Sequence, residues 1–491
     1  MQSFKSGKIK NVLDLLEDAA GKYTLKTAYS DQEKSISFEE VLLRARAVGT
    51  YLLKNNTGEG PVAVMLNRSV DTIVAFLGVV YSGHAYAPVG LDIPDERREK
   101  ILKRLKPSFI INEELLPAIF EERIDRTLLD DKRRDILMTD PLYVIFTSGS
   151  GGDPKGVITS HLSLLNYIEG YAGVMGIDSD DVMAAQSPLD YIAAIRDIYV
   201  PLLTGAEDVL VPKEYFMQPD VLFDLLNEKR VSCIGWSTSA ISILTKLKAF
   251  KDKKPEFLRK ICFSGSVMNG AVLRKWQEEL PDALFVNQYG PTETTASCTY
   301  YKLDHPVEED EIIPIGLPYP DYRVFLLSED DGPVKKGEEG EIAVAGAGVT
   351  LGYINDPERT AAAFTFNPLQ SAFQERIYRT GDIGVFREDG LLIFHGRKDR
   401  QIKHMGHRVE LDEIESAAAA SGIERSAALY DGEKENLWLF YEGDTDVKTL
   451  SLSLREKLPG FMVPRKIRCV ENLPLLPNGK TDFNALKSMI H

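Results

Sequence analysis

The sequence predicts an α/β protein: a large N-terminal domain of stacked α/β sheets with an antiparallel β subdomain, then a small mobile α+β C-terminal domain. Two textures and a length predict it. Up to Asp321, short β-rich apolar runs alternate with helical stretches; beyond it, strands follow one another across acidic turns. At 491 residues the chain exceeds what one ordinary core accommodates, so a large and a small domain are expected.

Taken in order, PVAVML, SFIIN, LYVIFT, AEDVLVP, VSCIGW, KICFSG and ALFVNQYG are the strands of the first part. SVDTIVAFLGVVYSG and SLLNYIEGYAGVMG are helices between them. YRVFLL, GEIAVAG, IGVFR and LLIFHG, separated by turns such as EDDG and REDG, make the antiparallel subdomain. GRKDRQIKHMGHRVELDEIESAAAA leads into an Ala-rich helix; AALYD, LWLFYEG, a helix through SLREKL, and IRCVENL complete a small domain of about 90 residues. The boundary falls near Asp399, giving domains 1–398 and 399–491.

A hydrophobic content of 44% with 27% charged residues is globular, and no repeat or low-complexity stretch interrupts it. The net charge of -16 repels a phosphate backbone, which argues against nucleic acid as a partner. Glu17 and Asp18 interrupt the apolar run an export signal needs, and the run 72–80 is about half of the roughly 20 residues that cross a bilayer, so a cytoplasmic protein with no membrane partner is expected. Cys233, Cys262, Cys298 and Cys469 lack the close spacing of metal or redox motifs and read as buried thiols.

The most informative segment is YVIFTSGSGGDPKGVITSH, a buried strand, a loop of small residues and another strand. Gly149, Gly151, Gly152 and Gly156 let backbone N–H groups converge on anionic oxygen; Thr147, Ser148 and Ser150 add hydroxyls, and Lys155 a positive charge. The Walker pattern fails, because Pro154 precedes Lys155 and Gly156 follows it. TSGSGGDPKG resembles instead the phosphate loop of the adenylate-forming superfamily, which includes acyl-CoA synthetases, luciferases and peptide-synthetase adenylation domains. Further motifs follow in that family's order: YSGHAYAPVGLDIPDER, NQYGPTETTA, GEIAVAGAGVTLGY, YRTGD, GRKDRQIKHMGHRVELDEIE and PNGKTD.

The resemblance implies ATP and Mg2+ and a set of site residues. Tyr289 would stack on adenine, Thr292 contact the α-phosphate, and Glu293 hold Mg2+, as a hard cation prefers. Asp382, an acceptor-only carboxylate, would take both ribose hydroxyls, with Arg397 beside it. Lys480 would offset the charge that builds as one anion attacks another. Because Lys480 belongs to the small domain, closure about a hinge at Asp399 is implied, with QIKHMGHRVE replacing Lys480 during thioester formation and Gly406 admitting a pantetheine arm. His404 and His407 read as solvent-facing loop histidines.

QSPLDYIAAIRDIYVPLLTGAEDVLV resembles the FDxSVxExxxxLxxGAxLVL segment of amino-acid-activating members, with Asp190 as its aspartate facing an α-ammonium; capping, or pairing with Arg196, is the structural alternative. Carried over position by position, the pocket comprises Tyr191, Ala194, Trp236, Cys262, Ser264, Gln288, Ala296 and Ser297, with the register at Trp236 resting on WSTSA, which lacks the proline of the family's TPS sequence. The stand-alone D-alanine:carrier-protein ligases look nearest. The expectation is activation of a small amino acid, D-alanine among the choices, and transfer to a separate carrier protein, since 11 residues follow Lys480. An acyl- or aryl-CoA ligase using free CoA, with Asp190 structural, is the alternative. Gly151 and Leu351 depart from the family pattern, which keeps open a non-catalytic nucleotide binder; Lys480, Glu293 and Asp382 argue for the enzyme.

Overall fold

The computed structural model describes residues 9–55, 58–149, 153–432, 434–476 and 481–490. The chain divides into two compact units: residues 1–90, 105–145 and 157–398 form one, and residues 91–104, 146–156 and 399–491 the other.

In the first unit the apolar runs become strands of two large sheets. The nine-stranded sheet runs Leu317–Pro318, Thr299–Lys302, Leu284–Tyr289, Lys260–Ser264, Cys233–Ser237, Val182–Ala185, Glu207–Leu210, Thr27–Ser30, Ser35–Ser37. Its middle is parallel, which explains the near-continuous apolar strands: a parallel sheet is covered on both faces. Its edges, at Ser35–Ser37 and at Thr299–Lys302 with Leu317–Pro318, are antiparallel. A six-stranded sheet orders Gly352–Tyr353, Lys155–Ser160, Pro141–Thr147, Tyr86–Pro88, Val62–Met65 and Phe109–Asn112. The expected antiparallel subdomain is present: Tyr322–Leu327, Glu339–Gly346, Phe364–Phe366, Arg376–Phe386 and Leu392–Arg397 pair only antiparallel.

Helix Val70–Tyr81 is started by Ser69, whose side chain accepts from the Thr72 N–H, and is buried nearly all round, as its uninterrupted apolar sequence requires. Helix Ala194–Thr204 stops at Gly205, which takes φ +80°. Arg196 and Asp197 stand in this otherwise apolar helix, and both are buried.

In the second unit, hairpin Gln401–His404/His407–Glu410 turns through Met405 and Gly406, at φ +52° and +81°. Two successive positive φ values match the right-handed twist of the flanking strands, which is why a glycine stands there. Strands Ser426–Asp431, Asn436–Tyr441 and Lys466–Cys469 form a sheet in this unit, which also contains helices Leu411–Ala419, Val447–Lys457 and Phe483–Ser488.

Cys233, Cys262 and Cys298 are buried, but Cys469 is exposed, a correction to the reading of four buried thiols: it lies on strand Lys466–Cys469 at the edge of the small sheet. Among the described residues no helix is long and apolar enough to cross a membrane.

Helices Phe38–Lys54 and Val70–Tyr81 meet where a Cβ on Gly78 would lie 2.3 Å from the Val48 Cβ and 2.9 Å from the Ala45 carbonyl oxygen. Gly78→Leu should therefore destabilise the first unit by about 2–3 kcal/mol through overpacking. A lowered urea midpoint is expected; an unchanged midpoint contradicts the packing.

Candidate functional site

Three neighbouring parallel strands, Cys233–Ser237, Lys260–Ser264 and Leu284–Tyr289, organise the site. Side chains alternate between faces along a strand. Ile234, Trp236, Ile261, Phe263 and Phe285 fill one core, whereas Cys233, Cys262 and Val286 belong to the core on the other face. Pairing puts Gly235 beside Cys262, and Ser264 beside both Ser237 and Gln288, so small and polar groups accumulate on that second face toward the C-terminal strand ends. In open α/β sheets this is the edge where ligands bind.

Asp382 is the hub of one cluster. The Tyr289 hydroxyl and the Arg397 guanidinium both donate to its carboxylate. Arg397 stands directly opposite Asp382 in the antiparallel pair Arg376–Phe386/Leu392–Arg397, and Asp382 is buried. The Asp382 N–H is held by Thr380 Oγ1 at 3.0 Å, and Thr380 donates in turn to the Ile342 carbonyl at 2.8 Å. Burial and the Asp382 charge hold the Tyr289 phenol well above its ordinary range, so it stays a donor. Three residues chosen from separate motifs thus meet at one carboxylate.

Beyond Tyr289 the chain makes a tight excursion. A Cβ on Gly290 would sit 2.5 Å from the Ser297 Cα, and the non-glycine residues Thr295 and Ala296 take φ +58° and +68°. Such backbone costs on the order of 1 kcal/mol per residue. Thr295 Oγ1 anchors it on the Gly348 carbonyl at 2.7 Å. Thr292 and Glu293 lie in this turn and are buried; the Glu293 carboxylate accepts from the Tyr353 hydroxyl at 2.7 Å. Among the described residues no cluster of three His, Cys, Asp or Glu could hold a metal by itself. A single buried carboxylate fits Mg2+, which keeps waters and phosphate oxygens and takes one or two protein carboxylates.

Of the phosphate loop, Thr147, Ser148, Gly149 and Lys155 are described; Ser150, Gly151 and Gly152 lie outside the described residues. Thr147 ends strand Pro141–Thr147 and its buried hydroxyl has no hydrogen-bond partner among the described residues. Ser148 commits its proton to the Arg408 carbonyl at 2.8 Å, within the second unit. Lys155 opens strand Lys155–Ser160 and is buried.

The expected acyl pocket is met in part. Ser297 Oγ donates to Gln288 Oε1 at 3.4 Å, and Gln288 Nε2 donates to the Tyr319 hydroxyl at 2.5 Å. Cys262 and Ala296 are buried in the same core, and Ser264 is half-buried on the Gln288 row. Ala194 begins helix Ala194–Thr204, preceded by the turn carrying Asp190 and Tyr191, both half-buried. Trp236 is a correction. It points to the opposite face of its strand, where its indole N–H donates to the Ala184 carbonyl at 2.8 Å and its ring packs edge-on against Phe216. The pocket side of that strand belongs to Gly235, one residue earlier.

Spacing also bears on Asp190, which stands two residues farther from Gly205 than the aspartate of FDxSVxExxxxLxxGAxLVL stands from its glycine. Counting back from Gly205 at that spacing reaches Ile192, with Asp197 at the pattern's glutamate. Sequence reasoning weighed Arg196 only as a structural partner of Asp190 and missed Tyr167, Tyr171 and Tyr319; these four surround Cys262, Gln288 and Ser297. The available signal was the charge pair Arg196-Asp197 inside an apolar helix, where a buried ion needs a reason.

In the second unit, His404 is buried against Tyr430 rather than solvent-facing, and burial lowers its pKa. His407 is half-buried, stacked on Phe461 at 3.9 Å. Both corrections follow from the hairpin, whose pleat turns these side chains onto the small domain. Asp399, where the second unit takes up the chain again, accepts from the Gln401 N–H at 3.2 Å. Lys480 lies outside the described residues.

The family described as AMP-binding enzyme matches residues 16–354. The D-alanine--D-alanyl carrier protein ligases of Bacillus cytotoxicus and Bacillus cereus are 28% and 29% identical, over 98% of this chain and 99% of their own length. A mycosubtilin synthase component of Bacillus subtilis is 29% identical over 98% of this chain, which spans 19% of that longer protein. Among solved structures, holo-PA1221, an NRPS protein containing adenylation and PCP domains, has a TM-score of 0.84 at 26% identity, covering 98% of this chain and 84% of that one. The Vibrio cholerae adenylation domain AlmE shares the fold at a TM-score of 0.84 and 21% identity, covering 98% of this chain and 97% of that one.

Asp382→Ala should cost about 2–4 kcal/mol, because it removes the carboxylate shared by a buried phenol and a largely buried guanidinium. Asp382→Asn, which keeps an acceptor oxygen, should cost less. Chemical denaturation of the three proteins checks the order; equal stability contradicts the hub.

Proposed function

The chain belongs to the AMP-binding enzyme family, and on that premise we propose that it activates the carboxylate of an amino acid as an acyl-adenylate and passes the acyl group to the phosphopantetheine thiol of a carrier protein. It is an AMP-forming ligase acting on ATP. The observation that carries the reading is the junction of two clusters on consecutive residues: Gln288 joins the polar pocket with Ser297 and Tyr319, and Tyr289 joins Asp382 and Arg397. An amino acid beside Gln288 and a nucleotide sugar beside Asp382 would thereby be brought to one strand end. That is what attack of a carboxylate on an α-phosphate needs.

In the first step a carboxylate oxygen bonds to the α-phosphorus and pyrophosphate leaves. Tyr289 supplies a ring face for the base, and Asp382, already oriented by Thr380 and Arg397, accepts from the ribose hydroxyls. By the family resemblance Thr147, Ser148, Gly149 and Lys155, with Ser150, Gly151 and Gly152, would receive the phosphate chain, and Thr292 would donate to the α-phosphate. Glu293 would hold Mg2+, whose charge offsets that of the phosphates. In the role that the family resemblance gives it, Lys480 would compensate the charge as the two anions meet. In the second step the thiolate attacks the acyl carbon and AMP leaves, with Asp399 as the hinge between the two working states. The relatives' names favour a carrier protein over free CoA as acceptor, and place D-alanine in the substrate panel.

Lys480→Ala should reduce amino-acid-dependent exchange of labelled pyrophosphate into ATP by on the order of a hundredfold or more. Undiminished exchange contradicts the role given to that lysine. In the wild type, exchange with an amino acid and none with a fatty or aromatic acid is expected; the reverse moves the enzyme to the acyl- or aryl-CoA ligases. Asp399→Pro should impair thioester formation more than pyrophosphate exchange, and equal loss of both speaks against the hinge.

A further inference from the structure

Arg196 is an unusual residue to bury. The residue is 1% exposed; its guanidinium donates to the Gly235 carbonyl, lies over the Tyr171 ring at 5.9 Å, faces the Tyr167 hydroxyl, and brings Nε to 3.7 Å from Asp197 Oδ1, too long for a hydrogen bond. Nε has no hydrogen-bond partner among the described residues, and neither carboxylate oxygen of Asp197 has one. A buried arginine is normally matched by a bidentate, hydrogen-bonded carboxylate. Arg196 lacks that match among the described residues.

The groups around it are donors too. The hydroxyls of Tyr167 and Tyr171 are buried; the first faces Arg196 and Ser297 and the second Cys262, and neither makes a well-aligned hydrogen bond among the described residues. Burial pushes the Tyr167 phenol up to about 12 and the Tyr171 phenol well above its ordinary range, so both remain protonated. The Tyr319 hydroxyl, which accepts from Gln288, still has its own proton to give. Gly235 makes the room: a Cβ there would stand 2.5 Å from Arg196 Nε and 2.9 Å from the Tyr171 hydroxyl. These residues converge on Cys262, Ser297 and Gln288, on the strand face that carries the acyl pocket.

Resting on the activation of an amino acid argued above, we propose that Arg196, with Tyr167 and Tyr171, receives a carboxylate on the substrate's side chain, so that the enzyme selects an acidic amino acid. A cation and hydroxyl donors that lack well-aligned acceptors are complementary to an acceptor-only group; a methyl or a hydrocarbon side chain would leave Arg196 Nε and the two phenols without one. Recognition of this kind discriminates strongly, because the wrong substrate strands buried polar groups.

The test is pyrophosphate exchange by the wild-type enzyme with D- and L-aspartate and glutamate, their amides asparagine and glutamine, and alanine, glycine, leucine and phenylalanine, with a fatty and an aromatic acid alongside. The expected result is exchange with an acidic amino acid on the order of a hundredfold above its amide in kcat/KM. In Arg196→Met that preference should collapse, with the thermal midpoint measured to establish that the variant is folded. Exchange confined to neutral amino acids overturns the acidic side chain and leaves amino-acid activation standing. Exchange with no amino acid overturns both. If the Arg196→Met variant does not fold, the wild-type ratio of acid to amide decides alone.

Discussion

The alternation of side chains along three adjacent parallel strands is the constraint on which the rest depends. Because Cys233–Ser237, Lys260–Ser264 and Leu284–Tyr289 are buried on both faces, alternate residues serve two different cores, and only one of the two faces carries small and polar groups toward the strand ends. Trp236, Phe263 and Phe285 are the packed face. Gly235, Cys262, Ser264 and Gln288 are what remains, and their rows end where the chain leaves the sheet. A register shift of one residue would exchange the two sets.

The second organising feature is a carboxylate used three ways. Asp382 is fixed by Thr380, accepts from Tyr289 and opposes Arg397, so the strand from the nine-stranded sheet and the antiparallel subdomain share one charged centre. Its partners keep it aimed, which preorganises an acceptor for hydroxyl groups. The strained turn at Thr295 and Ala296, made possible by the close approach at Gly290, keeps Thr292 and Glu293 beside it in sequence and out of solvent.

Most of this was legible from the sequence because its signals were local and ordered. The apolar runs became the expected strands, the break at Asp321 marks the antiparallel sheet, and residues from NQYGPTETTA, YRTGD and GRKD meet at Asp382. What failed depended on a period of two or on exact spacing. Trp236 was placed one residue off, enough to send it to the wrong face, and Asp190 sits two residues from the position that the distance to Gly205 requires. His404 was read as exposed because a polar hairpin does not reveal which of its faces meets the small core. Tyr167 and Tyr171 were missed, and Arg196 was weighed only as a partner for Asp190, because they come from two helices whose meeting is a tertiary fact. Membership of a family supplies the reaction; it does not supply the side chain that the pocket was built to hold.

The central claim is that a substrate carboxylate attacks the α-phosphate of ATP. Its most direct test is isotopic: the full-length protein is incubated with ATP, a thiol acceptor and an amino acid labelled with oxygen-18 in its α-carboxylate, and the nucleotide product is weighed by mass spectrometry. The account predicts AMP carrying one labelled oxygen for each acyl group transferred. Label recovered in inorganic phosphate beside ADP, or AMP free of label, would contradict it.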